Sequence, residues 1–322
     1  MKNNYFLITG IYGFVAQNLT KYLLEKKYKV IGIYSFANQN HVFDFKTEIK
    51  NKNLIIKKGS IKSKKFLNNV FKNYNIDFCI HLAAISQVLN SNKNPYNTFN
   101  TNIMGTINIL EAIRIYSPST KIIFSSSDKA YGESINLPYK ENFPLNGLHP
   151  YDASKSSADI IVRSYAKSFN LKVVVTRFVN IYGPGDKNWK RLIPGVIKSI
   201  IENRKPIIRS DGKFLRDYIY IDDLISAYTK IFKYMGNSRI KHNAFNFGNN
   251  NPIYVTKILE NILSKFNKDM SFCIIKNTAQ NEIKDQYSDS NLANKILNWK
   301  PKIKIEDGLT KTIVWYKKFL NS

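Results

Sequence analysis

The 322-residue chain predicts an α/β fold: a doubly wound parallel sheet followed by a smaller C-terminal α/β lobe. Apolar strand-like runs alternate with helix-period segments from Tyr5 to about Asn180. The first run passes into a helix through a glycine-spaced loop, Gly10-Ile11-Tyr12-Gly13-Phe14-Val15-Ala16. Beyond Gly183 the alternation loosens, which marks a second lobe. The expected division is 1–180 with about 214–247 for the first domain, and about 181–213 with 248–322 for the second.

Tyr5-Phe6-Leu7-Ile8 is the opening strand. Gly10 permits a tight turn, Gly13 lets backbone N–H groups approach a pyrophosphate, and Ala16 lets the helix pack on the strand. Leu19, Tyr22, Leu23 and Leu24 give that helix its buried face. Val30-Ile31-Gly32-Ile33 is the second strand. Tyr34-Ser35-Phe36-Ala37 follows, where an acid for the adenosine ribose is expected, and Asp44 is only a distant substitute. That gap leaves both NAD and NADP open, with NAD preferred.

Leu54-Ile55-Ile56 and the turn Gly59-Ser60-Ile61 offer a seat for an adenine ring, and a helix runs from Phe66 to Tyr74. Asp77 to Ala84 is the next strand; its small end residues Ala83 and Ala84 let a cofactor backbone lie close. His81 reads as a satisfied core histidine. Pro95 opens a helix through Asn102, Gly105 and Ile109 to Ile115.

Lys121-Ile122-Ile123-Phe124 ends in Ser125-Ser126-Ser127-Asp128-Lys129. Groups just past the carboxyl end of a parallel strand face the ligand, so Ser127, Asp128 and Lys129 place a hydroxyl, a carboxyl and an amine there. Tyr151 and Lys155 stand four apart on the following helix and share one face, where a lysine charge lowers the pKa of a phenol and makes it a usable base. Lys172 to Arg177 is a further strand.

In the loosened region Leu192 starts a helix, Pro206 to Arg209 is a short strand, and Asp222 or Asp223 can cap the helix Leu224–Tyr234. Ala244 to Gly248 is a strand, and helices follow at about Val255–Phe266 and Glu306–Leu320. Arg191, Arg209 and Arg216 are guanidinium forks suited to a diphosphate.

Composition narrows the function. A 43% hydrophobic and 22% charged chain is ordinary for a soluble globular protein. No apolar run approaches the ~20 residues of a membrane span, and no signal-peptide cleavage site precedes the first strand. Cys79 and Cys273 lie in apolar strand-like runs and read as buried thiols of a reducing, cytoplasmic compartment. The four histidines are scattered without metal-ligand spacing, so no metal is expected. The net charge of +26 comes from lysines spread along the whole chain, which argues for a basic surface and against a nucleic-acid partner.

Thr9-Gly10-x-x-Gly13, His81-Leu82-Ala83-Ala84, Asn102, Ser125–Gly132, Tyr151-x-x-x-Lys155, Arg177-x-x-Asn180-x-Tyr182-Gly183 and Arg216-Asp217 occur in an order that resembles the extended short-chain dehydrogenase/reductase family, the nucleotide-sugar epimerases and dehydratases with a Rossmann domain and a substrate-binding lobe. The resemblance implies a catalytic triad of Ser127, Tyr151 and Lys155, in which Tyr151 exchanges the C4 hydroxyl proton of the sugar. It implies cofactor contacts from Gly10, Tyr12, Gly13, Phe14, Val15, Ser60, Ile61, Leu82, Ala83, Ala84, Asn102, Tyr151 and Lys155. Contacts to a nucleotide-diphosphate hexose would come from Ser86, Asn180, Arg191, Leu192, Arg209 and Arg216. A homodimer through the helices at about 98–115 and 151–167 is implied as well.

Asp128-Lys129 separates the subfamilies. A 4-epimerase only removes and returns a hydride at C4, whereas a 4,6-dehydratase also eliminates water across C5 and C6 and needs an acid and a base for it. Many such dehydratases carry Asp-Glu; Ser-Asp-Lys, with the run from Gly183 to Pro194, is similar to CDP-glucose 4,6-dehydratases. Some UDP-N-acetylglucosamine dehydratases also carry Asp-Lys. The expected activity is a 4,6-dehydratase forming a 4-keto-6-deoxy sugar, on a CDP- or GDP-hexose by preference. Which of Asp128 and Lys129 is the acid stays open, and a 4-epimerase or 4-reductase is the alternative.

Overall fold

The computed structural model describes residues 4–35, 52–237, 240–278 and 282–321. Phe36, Ala37 and Asp44 lie outside the described residues. Seven strands, β1 (Tyr5–Thr9), β2 (Lys29–Tyr34), β3 (Leu54–Lys58), β4 (Ile76–His81), β5 (Lys121–Ser127), β6 (Val173–Phe178) and β7 (Ala244–Phe247), form one parallel sheet. Their order is β7-β6-β5-β4-β1-β2-β3. The winding reverses at β1, whose Thr9 lies opposite Ile33 of β2 and His81 of β4. Ligands bind at such a switch point because the loops on either side diverge there.

Strands covered on both faces are buried along their length and read as near-continuous apolar runs. Val173–Phe178 is accordingly buried at every position. Residues two apart share a face, so Ile31 and Ile33, Ile122 and Phe124, and Val173 and Val175 join one core. That core includes Ile109, Leu110 and Ile113 from the helix Gly105–Tyr116 and Ala158 and Val162 from the helix Pro150–Phe169. Gly32 is required where β2 passes the loop after β1, because a Cβ there would fall 2.0 Å from Cδ1 of Ile11.

Burial of Arg177 on β6 demands a counter-charge. Its guanidinium donates to both oxygens of Asp159, at 2.8 and 2.9 Å, and to the Tyr131 hydroxyl at 2.7 Å. Both ion-pair partners are essentially inaccessible, with side chains 1% and 0% exposed. The pair ties β6 to the helix Pro150–Phe169 and to the turn after β5.

The helix opened by Pro95 is composite. An α-helical turn, Pro95–Phe99, passes through a π-helical segment, Asn100–Met104, into Gly105–Tyr116. Such π segments concentrate at functional sites, and this one carries Asn102.

The chain divides into two compact units. The first is Met1–Gly132, Glu141–Arg177 and Thr229–Phe245; the second is Glu133–Lys140, Phe178–Tyr228 and Asn246–Ser322. Long-range pairings join the segments of the second unit. Tyr218–Tyr220 pairs with Asn180–Tyr182, and Leu215–Arg216 lies between Ile253–Tyr254 and Asp285–Gln286. Tyr139 exchanges backbone hydrogen bonds with Tyr287 and Asp289.

Two local expectations need correction. Asp222 and Asp223 do not cap a helix at Leu224, since the helix is Ile221–Met235 and already contains both. The Asp223 carboxylate instead accepts from the amides of Lys302 and Ile303, each at 2.9 Å. Cys79 is fully buried on β4, but Cys273 is only partly buried because it precedes the two-residue strand Ile274–Ile275, whose residues are exposed.

Asp159→Asn removes the counter-charge while leaving the Arg177 guanidinium buried. The expected loss is about 3–5 kcal/mol in urea-induced unfolding. A loss below about 1 kcal/mol would show that the pair does not carry this part of the fold.

Candidate active site

The loop after β1 has the geometry of a phosphate cradle. Gly10 has φ +69°, and a Cβ there would stand 2.9 Å from the Ala83 Cα, so the β1 and β4 ends touch backbone to backbone. The Gly13 amide donates to Gly10 O at 2.8 Å. Gly13 then starts the helix Phe14–Glu25 with no side-chain cap, which leaves first-turn N–H groups for an anion. The residues therefore fit the diphosphate of a dinucleotide.

Thr9 holds the cradle together. Its hydroxyl accepts from the amides of Leu82 and Ala83, both at 3.1 Å, and meets Nδ1 of His81 at 2.8 Å. His81 Nε2 meets the Thr106 hydroxyl at 2.9 Å. Burial, with the Lys155 charge, pushes the imidazole down to about 3, so His81 is a neutral brace between strand and helix. The small residues of the His81-Leu82-Ala83-Ala84 run were legible in sequence, but the brace was not, because Thr9 and Thr106 lie 72 and 25 residues away.

Other predicted cofactor residues have more specific positions. The Tyr12 ring meets Tyr34 at the β2 end, centroids 4.8 Å apart, where an acid was expected. Phe14 and Val15 open the first helix and are partly exposed. Ser60 Oγ accepts from the Lys62 amide. The Ile61 side chain packs inward against Gly105, where an added Cβ would lie 2.6 Å from its Cδ1, and the Ile61 carbonyl accepts from Asn108 Nδ2 at 3.1 Å. Asn102 is 2% exposed and hydrogen-bonds Ile85 O, Ile85 N and the Ser154 hydroxyl. It braces the Ala84–Ser86 loop against the helix Pro150–Phe169.

The catalytic candidates of the first unit come together at the end of β5. Ser127 donates to Asp128 Oδ1 at 3.0 Å and accepts from the Lys129 amide, which starts the 3-10 turn Asp128–Tyr131. Asp128 is 4% exposed. Tyr151 and Lys155, 8% and 6% exposed, occupy one face of the helix Pro150–Phe169. Lys155 Nζ donates to Ser125 O at 2.7 Å and lies 5.2 Å from the Phe124 ring centroid. Burial lowers Lys155 to about 8 against support from the Asp159 charge. Lys155 is thus cationic at neutrality, as needed to favour the phenolate of Tyr151.

Asp152 went unmarked in sequence. It is 3% exposed, and burial raises its pKa while Lys129 and His149 pull it down.

Ser86 is exposed beyond β4. The remaining predicted substrate residues belong to the second unit. Asn180 Nδ2 donates to Asp217 O at 3.2 Å, and Arg191 pairs with Asp186 at 2.9 Å ahead of Leu192, the first residue of the helix Leu192–Ile201. Arg209 is exposed and 3.6 Å from Glu282. Arg216 differs from the expectation of a free fork: it is 8% exposed, and its guanidinium donates to the carbonyls of Leu215, Lys284 and Ile283. Among the described residues no group of three His, Cys, Asp or Glu is arranged to hold a metal, and no helix is long and apolar enough to cross a membrane.

A tyrosine base with a buried lysine, beside a dinucleotide cradle on a parallel sheet, defines the short-chain dehydrogenase/reductase class. The family model described as GDP-mannose 4,6 dehydratase matches residues 7–312. A dTDP-D-glucose 4,6-dehydratase of Dictyostelium discoideum is 32% identical, over 97% of this chain and 81% of that protein. A UDP-glucuronate 4-epimerase of Thermodesulfobacterium geofontis is 30% identical, over 97% and 96%. The crystal structure of a dTDP-glucose 4,6-dehydratase from Bacillus anthracis in complex with NAD superposes with a TM-score of 0.87 at 28% identity, covering 98% of this chain and 97% of that one. This chain belongs to the extended short-chain dehydrogenase/reductase family of nucleotide-sugar epimerases and dehydratases.

The depressed Lys155 sets a stability test. Below about pH 8 the lysine is charged in both states and the folded state bears its burial cost; above 10.5 it is neutral in both and the cost is gone. The stability of the wild type relative to Lys155→Met is therefore expected to rise between those pH values, by on the order of 3 kcal/mol. Paired denaturation curves from pH 7 to 11 measure it; parallel pH profiles would contradict it.

Proposed function

We propose that the protein is a nucleotide-diphosphate-sugar 4,6-dehydratase, on the strength of one observation: a carboxyl and an amine, Asp128 and Lys129, follow Ser127 directly at the end of β5. A nicotinamide dinucleotide, NAD in preference to NADP, held by the Gly10–Val15 loop and the Ala83–Ala84 end, supplies the hydride chemistry. NAD in the Bacillus anthracis structure supports that preference.

Tyr151 takes the proton of the C4 hydroxyl, aided by the Lys155 charge, and Ser127 hydrogen-bonds the reacting oxygen. The C4 ketone acidifies the C5 proton, which Lys129 removes. Asp128 donates a proton to the departing C6 hydroxyl. Return of the C4 hydride to C6 and of a proton from Lys129 to C5 would complete the 4-keto-6-deoxy sugar nucleotide, with water as the other product. Asn180, Arg191, Leu192, Arg209, Arg216 and Ser86 are proposed for the nucleotide diphosphate. Arg216 then acts by holding the 283–284 backbone, or exchanges those carbonyls for phosphate oxygens. The Asp-Lys pair favours CDP-glucose, and the matching family model favours GDP-mannose. The second reading, a 4-epimerase, is supported by the 30% identical UDP-glucuronate 4-epimerase.

Incubation with CDP-, GDP-, UDP- and dTDP-hexoses tests the proposal through the alkaline absorbance of a 4-keto product. Lys129→Ala and Asp128→Asn are each expected to lower product formation by about 10²–10⁴-fold. Clean conversion to a C4 epimer, unaffected by both substitutions, would establish the epimerase instead.

We also propose a homodimer. Large apolar side chains stand exposed on the helices after β4 and β5: Tyr96 is 79% exposed, Met104 45% and Ile160 50%. Tyr96→Asp with Ile160→Asp is expected to give a monomer by sedimentation velocity; an unchanged sedimentation coefficient would place any dimer contact elsewhere.

A further inference from the structure

Asp152 follows the base Tyr151 directly and lies on a different face of the helix Pro150–Phe169. One turn on, Ser156 shares its face, donates to Ala130 O at 2.7 Å and accepts from the Gly147 amide at 3.1 Å. This face of the helix is therefore applied to the Asp128–Tyr131 turn, next to Lys129. The Asn146–Gly147 segment closes over it: Asn146 N donates to Tyr131 O and Gly147 N to Ala130 O. A Cβ on Gly147 would stand 2.6 Å from the Asp152 carbonyl carbon.

The carboxyl so enclosed is 3% exposed, and Oδ1 receives no hydrogen bond among the described residues. A buried carboxyl oxygen left in that state is costly, and evolution of a merely structural position would favour an apolar or fully bonded side chain. The charged and titratable groups acting on it are Lys129, from the turn, and His149, just before the helix. Burial and these two neighbours act on Asp152 in opposite directions, which marks the carboxyl as electrostatically coupled to the turn.

We infer that Asp152 is a positioning residue for Lys129: its carboxylate orients Nζ and offsets the positive charge that Lys129 acquires during elimination. The inference rests on the dehydratase reading. In that step the C5–H bond breaks and its proton passes to Lys129 Nζ. The electron pair forms the C5–C6 double bond as the C6–O bond breaks. The hydroxyl leaves as water with a proton from Asp128. Lys129 ends as an ammonium, partly exposed in a turn whose other residues are buried, and Asp152 is the neighbouring group of opposite charge. C4 oxidation, which uses Tyr151 and Lys155, creates no charge at Lys129 and does not call on Asp152.

The test is a double-mutant cycle of Asp152→Asn and Lys129→Met in the full-length protein, with CDP-glucose and GDP-mannose as substrates. Asp152→Asn is close in shape; Asp152→Ser is the second variant should the amide not be accommodated. Two half-reactions are read separately: C4 oxidation, from the ultraviolet absorbance of reduced nicotinamide in single turnover, and C5 proton removal, from deuterium incorporation in heavy water. Asp152→Asn is expected to slow C5 exchange at least 10-fold, to leave C4 oxidation within about two-fold, and to add nothing in the Lys129→Met background. Equal losses in both half-reactions, or the same loss with and without Lys129, would overturn the inference while leaving the dehydratase reading intact. A wild-type protein that epimerises C4 with no keto product would overturn both.

Discussion

Arg177 and Asp159 meet through two hydrogen bonds in a region closed to water, and the arrangement of the first unit follows from that contact. Neither charge is tolerable alone at that depth, so strand and helix can approach only in the register that pairs them. Asp159 is also the third member of a row at four-residue spacing, after Tyr151 and Lys155. Its charge partly offsets the cost of burying Lys155, which is how an amine in a nearly dry position stays cationic at neutral pH. The ion pair with Arg177 and the buried Lys155 share one carboxylate.

A second constraint operates at the switch point of the sheet. The β1 and β4 ends come together closely enough to exclude a side chain at Gly10, and a single hydroxyl, Thr9 Oγ1, satisfies the two amides and the imidazole that meet there. A neutral His81 suits this role, since a charge so deeply buried beside Lys155 would push the two groups apart. The outcome is a rigid floor for a dinucleotide, built from backbone and short side chains. The π-helical segment extends the same logic by turning Asn102 onto the loop that follows β4.

The Asp128–Tyr131 turn after β5 is held differently. It is short, and its position depends on Ser156 beneath it and on the Asn146–Gly147 backbone beside it. Asp128 and Asp152 are thus buried, with Lys129 partly exposed beside them. Low polarity strengthens their mutual electrostatics, which favours a proton-transfer site over a solvated loop.

Much of this was readable in one dimension, for a physical reason. Strand and helix periods, the glycine loop, the serine-ended strand and the Tyr151/Lys155 spacing are local properties, written within a few residues of one another. Tertiary structure decided where side chains point and what satisfies them. Asn102 and Arg216 have the residue types of ligand contacts, yet each is bonded to protein groups far along the chain. Asp223 reaches Lys302 and Ile303 rather than its own helix end, and the unit boundaries follow pairings such as Tyr218–Tyr220 with Asn180–Tyr182. Asp152 was invisible as a candidate because its neighbours become neighbours only when the helix is laid against the turn. Local spacing alone determined the class of chemistry; burial and long-range hydrogen bonding decided which residues are free to take part in it.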